Sequence, residues 1–281
     1  MSTALLLLIL LAALIHAVWN FFAKKAGGSL IVLWLGALLS TLVMTPIAIG
    51  VQAGHPFSTR GLCIGLVSGL VHCTYWWSLS RMYRRGDISL SYPIARGSGV
   101  LGTAVGSMLW LHEPLSTPGA VGIACVCAGV FALGYQRRIE PVRTRVVLLA
   151  LLTGLSITGY SLLDDRGVET MSPPVYLAIE TGVGVLLLGI AGWRRIRAAA
   201  PRIYRRYKRT VWTIGLGSPA TYLIILFAYS RGPVSYIVAV REFAVVIAAF
   251  LGARYLHERI SPLRWTGIML VVAGMVLIKM A

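Results

Sequence analysis

The segment LHEPLS at Leu111–Ser116 returns as LHERIS at Leu256–Ser261, 145 residues later in a chain of 281. The same offset aligns three further pairs: Gly122 with Gly267, Gly129 with Gly274, and Arg96 with Arg241. A repeat at about half the chain length predicts two homologous halves. We place them at residues 1–140 and 141–281.

The composition predicts an integral membrane protein. Hydrophobic residues make up 57% of the chain and charged residues 12%, with a mean hydropathy of +0.79. A soluble domain carries roughly 25% charged residues, so too little polar surface is present to cover a water-soluble globule. The four cysteines lie in apolar runs without zinc-type spacing. We therefore expect neither a metal nor a cofactor.

Ten apolar stretches are long enough to cross a bilayer as helices, which takes about 20 residues each. In the first half they are predicted at 3–22, 30–51, 61–81, 88–111 and 117–136, and in the second at 145–163, 174–193, 211–229, 234–256 and 264–280. The first stretch lacks a basic flank and a cleavage site, so it is predicted to be a retained span. The fold class is all-α, with ten transmembrane helices.

Basic residues are distributed unevenly between these stretches. They cluster after spans 1, 3, 5, 7 and 9, and Arg194–Arg209 alone carries eight of the 26 Lys and Arg residues. The positive-inside rule predicts that these segments face the cytoplasm and both termini face outward. The net charge of +17 is thereby explained without nucleic-acid binding. Five spans per half make the halves an inverted 5+5 repeat, the arrangement of many secondary transporters.

Several motifs resemble the EamA-type branch of the drug/metabolite transporter superfamily over essentially the whole chain. They are HAVWNFFAKK (His16–Lys25), RRGDISLSYPIARG (Arg84–Gly97), LWLHEPLSTPGAVGIACVCAGVFAL (Leu109–Leu133), GYSLLDDRGV (Gly159–Val168) and REFAVVIAAFLGARYLHERISPLRWTGIMLVVAGMVLI (Arg241–Ile278). One departure is histidine at His112 and His257, where the family more often has glycine before the glutamate.

The resemblance implies a ten-helix basket whose central cavity opens to one side of the membrane at a time. Members of the family export amino acids and other metabolites, import sugars or move nucleotide-linked compounds, so no single substrate is implied. Export and a location in the cell (inner) membrane are expected on this ground alone.

Arg96 and Arg241 lie deep within spans 4 and 9. An arginine at the centre of a lipid-facing helix costs at least ~2.5 kcal/mol, so both side chains are expected to face protein or a water-filled cavity. Two roles are open. They could bind an anionic group of a substrate through the planar guanidinium fork, or they could pair with acids as structural bridges.

Three further ionisable residues are candidates for proton coupling: Glu180, Glu242 and His72. Successive residues on a helix do not face each other, so Glu242 is expected to pair across helices, with Arg96 as one partner, rather than with Arg241. A desolvated glutamate could bind and release one proton per cycle, which would make the protein a proton-coupled antiporter. Permanent pairing within the bundle is the alternative.

Aromatic and amide side chains near the arginines are candidates for lining a substrate cavity. The set consists of Trp19, Asn20, Trp76, Tyr92 and Tyr236. Anchoring at the membrane interface is the alternative for the aromatic members. Glu113 and Glu258 are expected to serve in helix capping and packing at helix ends.

These features together predict a secondary active transporter, not an enzyme, that moves a small polar metabolite such as an amino acid, organic acid or other anion. Two rivals remain open. An intramembrane enzyme acting on a lipid head group would also use buried Arg, His and Glu, but near one interface. A non-transporting membrane subunit would use the inner charges only for pairing.

Overall fold

The computed structural model describes residues 1–54, 56–85, 88–135, 144–256 and 261–281. Within these ranges the chain is almost entirely helical and contains no strand. The helices are α1 (Thr3–Lys25), α2 (Leu30–Gln52), α3 (Thr59–Arg85), α4 (Ile88–Gly106), α5 (Thr117–Gly134), α6 (Thr144–Val168), α7 (Pro173–Tyr229), α8 (Val234–Arg241), α9 (Phe243–Leu256) and α10 (Pro262–Met280). The predicted boundary between the halves lies outside the described residues.

Eight segments of the described chain are long and apolar enough to cross a membrane. The all-α membrane fold predicted from the sequence is confirmed at this level. One of the eight segments is α7, whose 57 residues would span about 85 Å if straight, far more than a bilayer core.

Contacts with α2 indicate that α7 turns back on itself. The Trp34 indole N–H donates to the Val185 carbonyl oxygen at 2.9 Å, whereas a Cβ atom on Gly36 would lie 2.9 Å from the Cβ atom of Ile214. Residues 185 and 214 of a straight helix would be about 43 Å apart. Tyr207, which lies between them, has non-helical dihedral angles (φ −118°, ψ 22°). Two arms of α7 therefore pack along α2, one before and one after this kink.

Helices α5 and α10 cross at a reciprocal pair of glycine contacts. A Cβ atom on Gly122 would lie 2.8 Å from the Gly274 carbonyl oxygen, and one on Gly129 would lie 2.7 Å from the Gly267 carbonyl oxygen. The 145-residue offset relates Gly122 to Gly267 and Gly129 to Gly274, so the two contacts are equivalent. A two-fold axis produces such a pair of equivalent contacts. Glycine is required here because the two backbones approach too closely for any side chain.

The repeated serines begin the helices on either side of this crossing. Ser116 Oγ accepts a hydrogen bond from the Gly119 N–H at 3.2 Å, and Ser261 Oγ accepts one from the Arg264 N–H at 3.3 Å. Both are N-caps, which satisfy backbone donors that have no partner within the helix. The repeat visible in the sequence thus includes two helix starts of the same kind.

Two predicted spans are not continuous α-helices in the structure, and a third extends further than predicted. Span 9 is divided into α8 and α9 at Arg241 and Glu242, and span 4 ends in a π-helical turn at Ser107–Leu111. His112 closes that turn in the left-handed region (φ 57°), which suits glycine and explains why the family more often has glycine here. The predicted end of span 6 at residue 163 is too early, because α6 continues to Val168.

Candidate functional site

A cavity that is partly open to solvent lies between α1, α2, α3, α6, α7 and α8. Both halves of the chain contribute to its wall. The aromatic residues of the wall are Trp19, Tyr75, Trp76, Tyr160 and Tyr222, and its ionisable groups are His16, His72, Glu180 and Arg241. The cavity thus combines flat apolar surfaces with a few convergent polar groups, as small-molecule sites do.

Arg241 reaches the cavity from the last residue of α8. The side chain is 2% exposed, and its Nη2 atom donates to the Tyr160 hydroxyl at 3.3 Å. Its Nε atom is buried and has no hydrogen-bond partner within the described residues. A buried guanidinium with a free donor is a ready site for an anionic group.

The break between α8 and α9 positions this arginine. Glu242 N–H bonds to the Ala239 carbonyl oxygen at 3.1 Å, three residues back rather than four, so the helix tightens and ends. Arg241 and Glu242 are adjacent, yet each reaches a partner on a different helix. Discontinuous helices that end at buried ionic groups are common at the substrate sites of transporters.

The start of α8 is held by a residue of the other half. Glu113 Oε1 accepts from the Val234 N–H at 2.7 Å, and Glu113 Oε2 accepts from the Ser235 hydroxyl at 3.2 Å. The expected capping role of Glu113 is confirmed, but the helix that it caps is α8 rather than α5. Its counterpart Glu258 lies outside the described residues, as does His257.

Arg96 is paired and does not line the cavity. Its Nε atom donates to Glu242 Oε2 at 2.8 Å, and its Nη2 atom lies 2.6 Å from Glu242 Oε1. Both side chains are buried, at 3% and 1% exposure. The predicted pairing of Glu242 across helices with Arg96 is confirmed. The two arginines, equivalent by sequence, therefore have different surroundings.

Of the other five residues predicted from the sequence to line a cavity, two lie on its wall and three do not. Trp19 and Trp76 line the cavity, and the Trp19 Nε1 atom is buried with no hydrogen-bond partner in the described part of the chain. Tyr92 lies beside Arg96, with its ring centre 6.0 Å from the guanidinium carbon. Tyr236 instead contacts the cap of α5, since its hydroxyl lies 3.2 Å from Ser116 Oγ. Asn20 is half-buried on α1 and is not part of the cavity wall described above.

Asp164 is a buried acid that the sequence analysis did not single out. It is 0% exposed and accepts hydrogen bonds from the hydroxyl groups of Ser68, Tyr176 and Tyr222, the second at 2.8 Å. The predicted span 6 ends at residue 163, and Asp164 is not among the candidates predicted from the sequence. An acid within an apolar helix is the signal that would have found it.

Asp164, His72 and Glu180 form a cluster in which the nitrogen and carboxylate oxygen atoms lie within 4.8 Å of one another. His72 Nδ1 is 3.6 Å from Glu180 Oε2 and 3.1 Å from the Ser68 carbonyl oxygen, and its ring stacks on Tyr160 with centres 4.1 Å apart. Three hydroxyl donors already surround Asp164, so the arrangement is that of a hydrogen-bonded carboxylate. The three residues come from α3, α6 and α7, and no local spacing in the sequence relates them.

The apolar helices and the polar cavity enclosed between them define a multi-pass α-helical membrane protein. Residues 144–280 match the model of the EamA-like transporter family. The resemblance inferred from the sequence is confirmed over the second half of the chain, which is similar to the EamA-like transporters of the drug/metabolite transporter superfamily.

Two curated relatives agree with this assignment. The "Uncharacterized transporter YwfM" of Bacillus subtilis (strain 168) is 28% identical over 136 residues, which are 48% of this chain and 45% of that protein. "Protein RarD" of Streptomyces exfoliatus is 26% identical over 215 residues, 73% of this chain and 62% of that protein. The chain thus spans about half of the first relative's length and about three-fifths of the second's.

A solved crystal structure has the same fold. It superimposes with a TM-score of 0.73 over 99% of both chains, at 15% sequence identity. At that identity the likeness concerns the fold alone.

Proposed function

We propose that the protein is a secondary active transporter of a small polar metabolite bearing an anionic group, such as an organic acid, an amino acid or another anion. The observation that carries this proposal is Arg241, a buried guanidinium with a free Nε donor on the wall of a cavity between both halves. The similarity of residues 144–280 to the EamA-like transporter family supports transport rather than catalysis.

Alternating access between two inverted halves is the proposed mechanism. We infer ten spans, because α7 contains two arms, α8 and α9 together make one crossing, and α4 with its π-helical turn makes another. The reciprocal glycine contacts of α5 and α10 support a two-fold relation between residues 1–140 and 141–281. Rocking of one half against the other would then open the cavity to either side in turn.

We assign distinct roles to the candidate residues. Arg241 holds the anionic group, Trp19 supplies its free indole N–H, and Trp76 packs against the apolar part. Arg96, neutralised by Glu242, supports the broken helix from which Arg241 projects, with Tyr92 beside it. Tyr236 and Asn20 lie further from the anion site and would shape the cavity only in another conformation.

The orientation and direction of transport extend the same proposal. The basic segments, including Arg194–Arg209, would face the cytoplasm of a cell (inner) membrane, with both termini outside. Export is the direction that the family resemblance favours. Reporter fusions at each terminus test the orientation directly.

The central test begins with a thermal-shift screen of the purified protein against organic acids, amino acids and phosphonates. A ligand that binds the folded state raises the melting temperature by mass action. The best ligand is then followed in proteoliposomes with Arg241→Gln and with Arg231→Gln, an exposed arginine, as the matched control. We expect the first variant to lose transport and the second to keep it. Normal transport by a folded Arg241→Gln protein contradicts the proposal.

A further inference from the structure

We propose that Asp164 and Glu180 form a proton site whose occupancy is coupled positively to anion binding at Arg241, so that anion and proton move in the same direction. This inference rests on the proposed function. It adds to it that the coupling ion is a proton, that Asp164 acts together with Glu180, and that proton and anion binding favour each other.

The pair is built from two buried carboxyl groups on different helices. Asp164 is 0% exposed and Glu180 is 3% exposed. Three hydroxyl groups donate to Asp164, which stabilises its ionised form. Glu180 Oε2 is buried without a hydrogen-bond partner within the described residues. This buried oxygen lies on the cavity wall, 3.6 Å from His72 Nδ1 and within 4.8 Å of the Asp164 carboxylate, and an incoming proton would bind there.

Charge balance favours one proton on the pair. Arg96 and Glu242 neutralise each other. The remaining buried charges near the cavity are Asp164 and Glu180 against Arg241, two acids and one base. An uncompensated charge in a dry interior is costly, so the empty cavity is stabilised when one of the two acids carries a proton.

Other titratable groups lie around the pair, and the further acid among them, Asp165, is only half-buried, so it is not counted as an enclosed charge. They are His16 on α1, His72 and Tyr75 on α3, Tyr160 and Asp165 on α6, Tyr176, Tyr222 and Tyr229 on α7, and Arg241 on α8. The tyrosines are neutral hydroxyl groups at cellular pH. The two histidines are buried, and the loss of water around a buried imidazole favours its neutral form.

Arg241 is close enough to Asp164 and Glu180 for the charge of its guanidinium to affect their ionisation. Its Nη2 atom bonds to the Tyr160 hydroxyl at 3.3 Å, and the Tyr160 ring stacks on His72 at 4.1 Å. His72 Nδ1 in turn lies 3.6 Å from Glu180 Oε2. One layer of stacked rings therefore separates the guanidinium from the carboxyl pair, a distance over which charges in a poorly polarisable interior interact.

This proximity determines the sign of the coupling. An anion bound at Arg241 cancels the positive charge that otherwise stabilises two ionised carboxylates. The pair then holds its proton more tightly, and by linkage the protonated protein holds the anion more tightly. The proton comes from water on the side to which the cavity is open, forms an O–H bond on Glu180, and leaves to water on the other side. No other bond changes.

The consequence is symport of anion and proton. If a single glutamate bound either a proton or the substrate, but not both at once, proton and substrate would move in opposite directions, which is antiport. In an exporter, an outward gradient of the anion would carry protons out with it.

Benzoate is a suitable probe, because it is an anion over the relevant pH range and its ring suits the aromatic wall. Benzamide, of the same shape without charge, is the matched ligand control. Binding to the purified full-length protein is measured by calorimetry in buffers of different ionisation enthalpy, which counts protons taken up. We expect uptake that approaches about one proton per benzoate as pH rises, with affinity falling up to about tenfold per pH unit. Zero uptake at every pH up to the alkaline end of the range, or proton release, overturns the inference.

Variants separate this inference from the proposed function. Glu180→Gln is expected to bind benzoate with no proton uptake and no pH dependence, whereas Glu169→Gln, on the exposed connection after α6, behaves as wild type. Binding that needs Arg241 but takes up no proton contradicts only the coupling. Binding indifferent to Arg241→Gln, or no binding to the wild type, contradicts the anion site and therefore both proposals.

Infrared spectroscopy tests the pair without any ligand. The carbonyl stretch of a protonated, buried carboxyl group is expected in the wild type at neutral pH and is expected to be lost in Glu180→Gln or Asp164→Asn. Absence of this band from the folded wild-type protein between mildly acidic and neutral pH overturns the inference, whatever benzoate does.

Discussion

Arg96 and Glu242 form a bidentate ion pair, with Nε 2.8 Å from Oε2 and Nη2 2.6 Å from Oε1, across the contact between α4 and the α8–α9 break. Glu242 is adjacent to Arg241, whose guanidinium keeps a free donor. The pair therefore neutralises one buried arginine and leaves the other available to a ligand.

Removing one partner of this pair is predicted to destabilise the protein strongly. Arg96→Gln leaves Glu242 as an uncompensated buried charge, and breaking such a pair costs about 3–5 kcal/mol. Unfolding in bicelles measures the loss. The double variant Arg96→Gln/Glu242→Gln restores neutrality and is expected to be clearly more stable than Arg96→Gln alone. Additive losses in the double variant would show that the pair is not coupled.

The reciprocal glycine crossing predicts equal sensitivity at two positions. Gly122→Ala and Gly129→Ala each place a methyl group within 3 Å of a backbone carbonyl oxygen on α10. Overpacking of this kind costs about 1–3 kcal/mol of unfolding free energy. Gly50→Ala on α2, where a Cβ atom meets nothing within 4 Å, is the control and is expected to be neutral or stabilising. A tolerant Gly122 beside a sensitive Gly129 would contradict a two-fold crossing.

Glu113→Ala is predicted to loosen α8 from the opposite half. The variant leaves the Val234 and Ser235 N–H groups without their carboxylate acceptor. Loss of a helix cap costs about 0.5–2 kcal/mol, seen here as a lower melting temperature. Because α8 carries Arg241, benzoate affinity is expected to fall as well. Glu169→Ala is the surface control. If it lowers the melting temperature and the benzoate affinity as much as Glu113→Ala does, the effect of Glu113→Ala is not due to loss of the cap.

His112→Gly is predicted to stabilise the protein. His112 is exposed and has φ 57°, a conformation that costs a non-glycine residue roughly 1–2 kcal/mol. Part of that gain is offset by the greater freedom of glycine in the unfolded chain. A net increase in melting temperature is expected. A decrease would indicate that the imidazole makes a contact that outweighs the backbone cost.

Trp19→Phe is predicted to weaken benzoate binding by about tenfold, because it removes, from a residue of the cavity wall, a buried indole N–H that has no acceptor within the described residues. Trp193→Phe, at a side chain 60% exposed on the outer surface of the helices, is the matched control. Fluorescence quenching by benzoate measures both. An unchanged benzoate affinity in Trp19→Phe would show that this N–H does not bind the anion.

Much of the architecture was predictable because it depends on local composition and on the repeat. Apolar runs of bilayer length located the helices, and the recurrence of Ser116 as Ser261 located two helix starts. The pairing of Glu242 with Arg96 followed from helix geometry, since neighbours on a helix diverge. Asp164 was missed because the predicted limit of span 6, at residue 163, lies five residues before the end of α6, and the limits of an apolar run are its least defined feature.

The sequence by itself determined that this is a repeated, all-helical membrane protein with one arginine buried at the same register of each half. Only the tertiary structure decided which arginine is free. In the tertiary structure Asp164, His72 and Glu180 also lie close together. Tyr236 contacts the N-cap of α5, and Glu113 caps a helix of the other half. The physical reason is that each of these outcomes depends on contacts between residues far apart in sequence. Period and composition record which face of a helix is buried, but not which partner buries it.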